Sequence, residues 1–202
     1  MAERDMFAAR EHWIEETYFR KREQELIEKL HKLQALAIER EHMAESTGIQ
    51  DQTMLQELQE DGYTEETIAL LPLVPLVEVA WGEGGAADRE REMIFQIARS
   101  RGIEPGSKAH DQLARWLALR PSEHFFEDTL HAIRLMFDAL PSEQRRASRE
   151  NLLAHCNQIA ALVSGGILGR GKISDEEQAL IAHIADEIGR GRDVDVKRVN
   201  GG

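Results

Sequence analysis

The sequence contains a single cysteine, Cys156, among 202 residues. One thiol cannot form a disulfide within the chain, and it cannot build a zinc site that needs several thiolates. A chain so poor in cysteine is typical of a reducing compartment. We therefore expect a cytoplasmic protein.

Long hydrophobic runs are also absent. The most apolar stretch, residues 68–81, contains Pro72, Pro75 and Glu78, and it is shorter than the roughly 20 residues that a helix needs to cross a bilayer. We interpret this stretch as buried core and expect no membrane insertion. Residues 1–15 carry charges of both signs without an apolar run, so we expect no signal peptide.

Basic residues are fewer than acidic ones. The chain has 37 acidic and 25 basic residues and a formal net charge of −12 at pH 7. Proteins that bind nucleic acids draw much of their affinity from Lys and Arg, which displace counterions from phosphates. This balance argues against a nucleic-acid partner, whereas a cation or a basic protein is easier to accommodate.

Glycine and proline are missing from residues 3–45, which predicts one long helix of strong helix formers. Its apolar side chains recur at helical spacing on one face: Phe19, Leu26, Leu30, Leu33 and Ala37. A helix of this length spans about 60 Å, more than a small globule can support. We expect part of it to pack on another copy of the chain or on a protein partner.

Turn residues divide the chain into four regions. We expect a long amphipathic helix over residues 1–48, a short connecting helix over 49–62, a helical domain over 63–189 and a disordered tail over 190–202. No convincing strand pattern appears anywhere, so the predicted fold class is all-α. Within the domain, residues 73–81 form a nearly all-apolar helix and are predicted to lie at its centre.

A seven-residue motif, or phrase, occurs twice in the sequence. Residues 84–90 and 171–177 both read glycine, any residue, apolar, small, aspartate, any residue, glutamate, at an offset of 87 positions. The likeness continues into the following helices, where isoleucines fall at equivalent places. The repeat predicts two glycine-turn-acidic-helix units and internal pseudo-symmetry.

The two copies allow different interpretations. In the second, Ser174 and Glu177 match a capping box, which explains the motif without a ligand. In the first, Ala87 replaces the serine, which leaves Glu83, Asp88 and Glu90 around a glycine turn. Oxygen ligands of this kind suit a hard cation such as Ca²⁺ or Mg²⁺. Since the second copy has Arg170 in place of Glu83, a site at both turns is not expected.

Residues 79–90 resemble the "ADG…E" signature of the TerB-like, or tellurite-resistance, helical domains. Residues 171–177 look like the matching second half, and the resemblance covers roughly residues 63–189. It implies an all-α bundle and, for some members, an acidic surface that binds divalent metal or partners in stress-response complexes. The family's aspartate is Glu83 in this chain.

Three further groupings have spacings known from functional sites. Glu28 with His31, and Glu39 with His42, match the Glu-x-x-His of di-iron bundles, but both lie on one predicted helix instead of two. A second group, His124, Asp128 and His131, shares one helix face and could ligate a metal together with a fourth group from elsewhere in the chain. Glu127 and Arg134 lie on the same face, which favours an ordinary polar surface. The third is His155 and Cys156, which point about 100° apart on a helix and cannot act as a local nucleophile and base; we expect Cys156 in the core.

No P-loop, Rossmann glycine pattern, nucleophile elbow or HExxH motif occurs. The sequence therefore favours a non-enzymatic helical interaction module that assembles through its N-terminal helix. The alternative is a protein that binds or senses a divalent metal through the turn at residues 83–90.

Overall fold

The computed structural model describes residues 2–82, 84–163 and 173–190, and within these ranges the regular secondary structure is all helical, without a strand. The all-α class is therefore confirmed. In chain order the elements are α1 (Ala2–Thr47), α2 (Gln52–Glu60), a 3-10 helix (Ile68–Leu73), α3 (Val74–Ala80), α4 (Asp88–Ser100), α5 (Lys108–Ala118), α6 (Glu123–Asp138), α7 (Ser142–Val163) and α8 (Asp175–Gly189). The predicted tail, residues 190–202, lies outside the described residues except for Arg190.

The chain divides into two compact units, Met1–Glu41 and His42–Gly202. Nearly all of α1 lies in the first unit, and its last turns belong to the second. At the end of α1 the Thr47 hydroxyl donates to the Met43 carbonyl at 2.7 Å. Gly48 follows with φ +76°, a left-handed conformation that favours glycine because a Cβ is strained there.

The sequence places the next helix correctly. Asp51 caps α2, because its Oδ1 accepts hydrogen bonds from the amides of Thr53 at 2.9 Å and Met54 at 3.2 Å. The helix ends before Gly62, which has φ +89°. Its buried side chains, Met54, Leu55 and Leu58, join the core of the second unit.

The stretch after α2 differs from the expected structure in one respect. The sequence predicts that Thr64 caps a helix running into residues 68–71, but the chain forms a turn there and then a 3-10 helix whose N-cap, Thr67, makes no side-chain cap bond. Pro72 lies inside that 3-10 helix and Pro75 in the first turn of α3. Neither proline has an amide hydrogen to bond to a carbonyl four residues back, so a continuous α-helix cannot pass through both.

Helix α3 is central to the second unit. It contacts α4, α6, α7 and α8, and every one of its residues is buried, as the all-apolar pattern predicts. Beside it the rings of Tyr63, Trp116 and Phe125 pack with centroids 5.0 to 5.6 Å apart. The Tyr63 hydroxyl and the Thr129 hydroxyl are hydrogen-bonded at 3.0 Å, which gives the buried phenol a polar partner.

Candidate functional site

The acidic turn that the sequence singled out lies between α3 and α4. Glu83 falls outside the described residues, so its part in a cation site stays a prediction. Asp88, the first residue of α4, is exposed. Glu90 is buried, with 1% of its surface accessible.

Glu90 has a structural role that the sequence did not reveal. Its Oε2 accepts a hydrogen bond from the Ala87 amide at 2.6 Å, which is the glutamate half of a capping box. That half needs only a backbone amide, so it forms although Ala87 lacks a side-chain acceptor. Arg91 ties the turn to its neighbours, because its guanidinium donates to the carbonyls of Ala86 and Leu117.

The second copy of the phrase has the full capping box. The Ser174 hydroxyl accepts from the Glu177 amide at 3.2 Å, and Glu177 Oε2 accepts from the Ser174 amide at 2.9 Å. Glu177 is 1% accessible, like Glu90. Gly171 and Lys172 lie outside the described residues.

Glu78 is a buried carboxyl that the sequence did not single out as a candidate. It lies on α3, and no hydrogen bond reaches its buried Oε2. Burial is the main reason that its pKa is raised to about 7; the nearby carboxylates of Glu123 and Glu127 raise it further, and Arg120 opposes them. The only sequence signal was a lone acid within an apolar run.

A second shifted carboxyl, Asp61, lines a groove of about 620 Å³ at the turn between α5 and α6. Desolvation and then the carboxylate of Asp128 raise the pKa of Asp61 to about 6, while His124 lowers it. His124 and Asp128 belong to the predicted metal-ligand face that also includes His131. His124 Nδ1 and Asp128 Oδ2 are 3.3 Å apart and form an ion pair when the histidine is charged. The groove wall includes Leu119, which is exposed.

The other sequence groupings have separate environments. Glu28 and His31 are both exposed on α1, and His42 bonds to the carboxylate of Glu65. Cys156 is buried in the core, as expected, and burial raises the pKa of its thiol to about 12. Such a thiol is inert as a nucleophile at neutral pH.

No group of three or more His, Cys, Asp or Glu side chains suited to a metal ion is found among the described residues. Within the same part of the chain, no helix has both the length and the apolar character needed to span a membrane. The cation hypothesis therefore depends on Glu83 and on the exposed Asp88, since the Glu90 carboxylate already caps α4.

One face of α1 exposes a row of apolar side chains. Phe19, Leu26, Leu30 and Leu33, which with Ala37 we call the α1 stripe, are between 52% and 67% accessible, and Ala37 is exposed as well. Among the described residues, eight of the nine exposed large hydrophobic side chains lie on α1, and the ninth is Leu119. Contiguous exposed apolar surface is a common feature of interaction sites in proteins.

Comparisons with known proteins find no match to this chain. No family model matches the chain, and neither a curated protein nor a solved structure matches it. The TerB-like resemblance therefore rests on the two sequence motifs and stays a prediction.

Proposed function

We propose that this protein is a non-enzymatic assembly module, in which the α1 stripe binds another polypeptide. The observation that carries the proposal is the exposure of four large apolar side chains at helical spacing on one face. Covering such side chains gains about 25 cal/mol for each Å² of apolar surface removed from water. A partner helix that presents its own apolar face fits this geometry.

The contrast with the second unit supports the proposal. There the apolar faces of the helices meet in one core, whose leucines are almost fully buried. The sequence of α1 carries a face of the same composition. An apolar helical face without tertiary contacts adds little to the stability of a folded chain, whereas burial against a partner helix stabilises both.

The chemistry of the chain favours a protein partner. Because the chain has a net charge of −12, it is repelled by phosphate-rich surfaces. Charges of both signs flank the stripe, and such a mixture suits a second helix. The basic residues include Arg20, Lys21 and Lys29, and the acidic ones include Glu25 and Glu28. A cytoplasmic location belongs to the same proposal.

We further propose that residues 63–189, within the second unit, form a TerB-like pseudo-repeat. The buried glutamates of the two caps support it, since Glu90 and Glu177 occupy equivalent places at the starts of α4 and α8. Equivalent isoleucines also point inward: Ile94 and Ile97 in α4 are buried, as are Ile181 and Ile184 in α8. A stress-response role belongs to the resemblance alone.

Photo-crosslinking in cells tests the assembly function. A benzophenone amino acid placed at position 30, within the stripe, should give covalent adducts of higher mass on irradiation. The same residue at position 28 is the matched control, because Glu28 is exposed on α1 away from the stripe. Adducts from position 30 and few from position 28 are expected; an absence of adducts at position 30 contradicts the proposal.

A further inference from the structure

The part of the α1 stripe from Leu26 to Ala37 has a charged residue on each side of it, Glu23 before Leu26 and Arg40 after Ala37. Written in heptad positions, Glu23, Leu30 and Ala37 occupy a, and Leu26, Leu33 and Arg40 occupy d. The six positions therefore read acid, four apolar residues, base, over about 26 Å of helix. When a second copy of this face is turned end for end, the acid of each copy lies opposite the base of the other.

We propose that the partner of α1 is a second copy of this chain, paired antiparallel so that Glu23 of each copy faces Arg40 of the other. This inference rests on the proposed assembly function and names its partner. In an antiparallel coiled coil, an a position faces a d position of the other helix. In the proposed register, two residues face each other across the copies when their numbers add to 63. Three kinds of layer result, and each occurs twice: Glu23 with Arg40, Leu26 with Ala37, and Leu30 with Leu33.

Charge decides the direction of pairing. A parallel, in-register pair places each residue beside its own copy, so that Glu23 meets Glu23 and Arg40 meets Arg40. Like charges at facing positions repel, and such contacts are a common means of excluding a pairing. The antiparallel register replaces both repulsive contacts by ion pairs and leaves the leucine layers in the middle.

Both charged groups are suited to such a contact. Glu23 is exposed on α1, and Arg40 is partly exposed. A carboxylate from the second copy supplies a charge partner for the exposed part of the Arg40 guanidinium.

A charge-reversal cycle tests the pairing in the full-length protein. Light scattering in low salt should give twice the 22.9 kDa of one chain. Glu23→Arg or Arg40→Glu alone should raise the dimer dissociation constant about tenfold, because each change turns two attractive contacts into repulsive ones. The double variant should restore dimerisation, since the new arginine at position 23 then faces the new glutamate at position 40. Glu28→Arg is the control and should leave the mass unchanged.

Cysteine crosslinking separates the two directions independently. Leu26→Cys combined with Ala37→Cys should yield disulfide-linked dimers on mild oxidation, whereas Ala37→Cys alone should yield none. The native Cys156 does not interfere because it is buried. Linkage through Ala37→Cys alone indicates parallel pairing and overturns the inference, as does a double charge variant that is weaker than either single one.

The outcomes also separate this inference from the assembly function. If the purified chain stays at 22.9 kDa and crosslinks from position 30 lead to a different protein, the second-copy inference is wrong and the assembly function stands. If the chain stays monomeric and position 30 gives no adduct in cells, both are wrong.

Discussion

Leu30 and Leu76 are the same residue type on helices of the same chain, yet their surroundings are opposite. Leu30 in α1 is 63% accessible, and Leu76 in α3 is fully buried. Helix α3 is covered by four other helices of its own unit, so its apolar residues contribute to folding. The stripe of α1 has the same chemistry without that cover, so its apolar residues can contribute to association.

The difference shows where each region gains its stability. Fully burying a leucine side chain is worth about 1.5 to 3 kcal/mol. The second unit gains this within one chain through its closed core. In the proposed assembly, the α1 stripe gains this stabilisation when a partner covers it.

The largest effect is expected for truncation of a core leucine. Leu76→Ala should lower the free energy of unfolding by about 2–5 kcal/mol, since it removes buried contacts and leaves a cavity. Leu30→Ala should change the unfolding free energy of the dilute monomer by less than about 0.5 kcal/mol. Urea titration at low protein concentration measures both, and an equal loss in the two variants breaks the contrast between the units.

A pH effect of intermediate size is expected from Glu78 in the bundle. Its pKa is about 7 in the folded chain against an ordinary value of 4.5, so folding favours the protonated carboxyl. The contribution of Glu78 to the unfolding free energy should be highest below about pH 4.5 and fall by roughly 3 kcal/mol as the pH rises to about 7. Above that pH the loss is complete.

Glu78→Gln tests this effect, because the amide cannot ionise. The variant should flatten the decline between about pH 4.5 and 7 and be more stable than the native chain at about pH 8. Asp61→Asn is the comparison variant, since its raised pKa of about 6 removes a separate part of the slope. A Glu78→Gln curve parallel to that of the native chain contradicts the assignment.

The smallest effect is expected at the starts of α4 and α8. Ser174→Ala should lower the unfolding free energy by about 0.5–2 kcal/mol, because it removes the acceptor for the Glu177 amide. Ala87→Ser should raise it by a similar or smaller amount, since it completes the box that Glu90 already half forms. Thermal unfolding of the pair measures both, and an Ala87→Ser variant that is destabilised shows that the two helix starts differ in geometry.

Local signals in the sequence were sufficient for much of this fold. The missing glycine and proline predicted α1, and Ser174 caps α8 as the capping-box pattern predicts. Asp51, Ser107 and Ser122 also cap helices, and aspartate and serine are preferred N-cap residues. The role of Glu90 was missed because a capping box was sought through its serine, while the glutamate half needs only a backbone amide. The 3-10 helix was missed because two prolines three residues apart allow several local geometries.

Features that depend on distant residues could not be predicted. The pKa of Glu78 is raised mainly by burial in the folded core, and further by Glu123 and Glu127, which are 45 and 49 positions away in sequence. The packing of Tyr63 against Trp116 and Phe125 also joins separate helices. By contrast, the α1 stripe could be predicted from sequence because it needs only the helical period.

Amide hydrogen exchange in α1 decides whether a partner covers the stripe. Exchange is followed in residues 18–38 of the full-length chain over a range of protein concentrations, with α3 as the internal reference. An uncovered helix opens at little cost, whereas a covered one does not. If two copies associate through the stripe, protection of residues 18–38 rises with concentration while that of α3 stays constant. Fast exchange in residues 18–38 at every concentration contradicts association through α1.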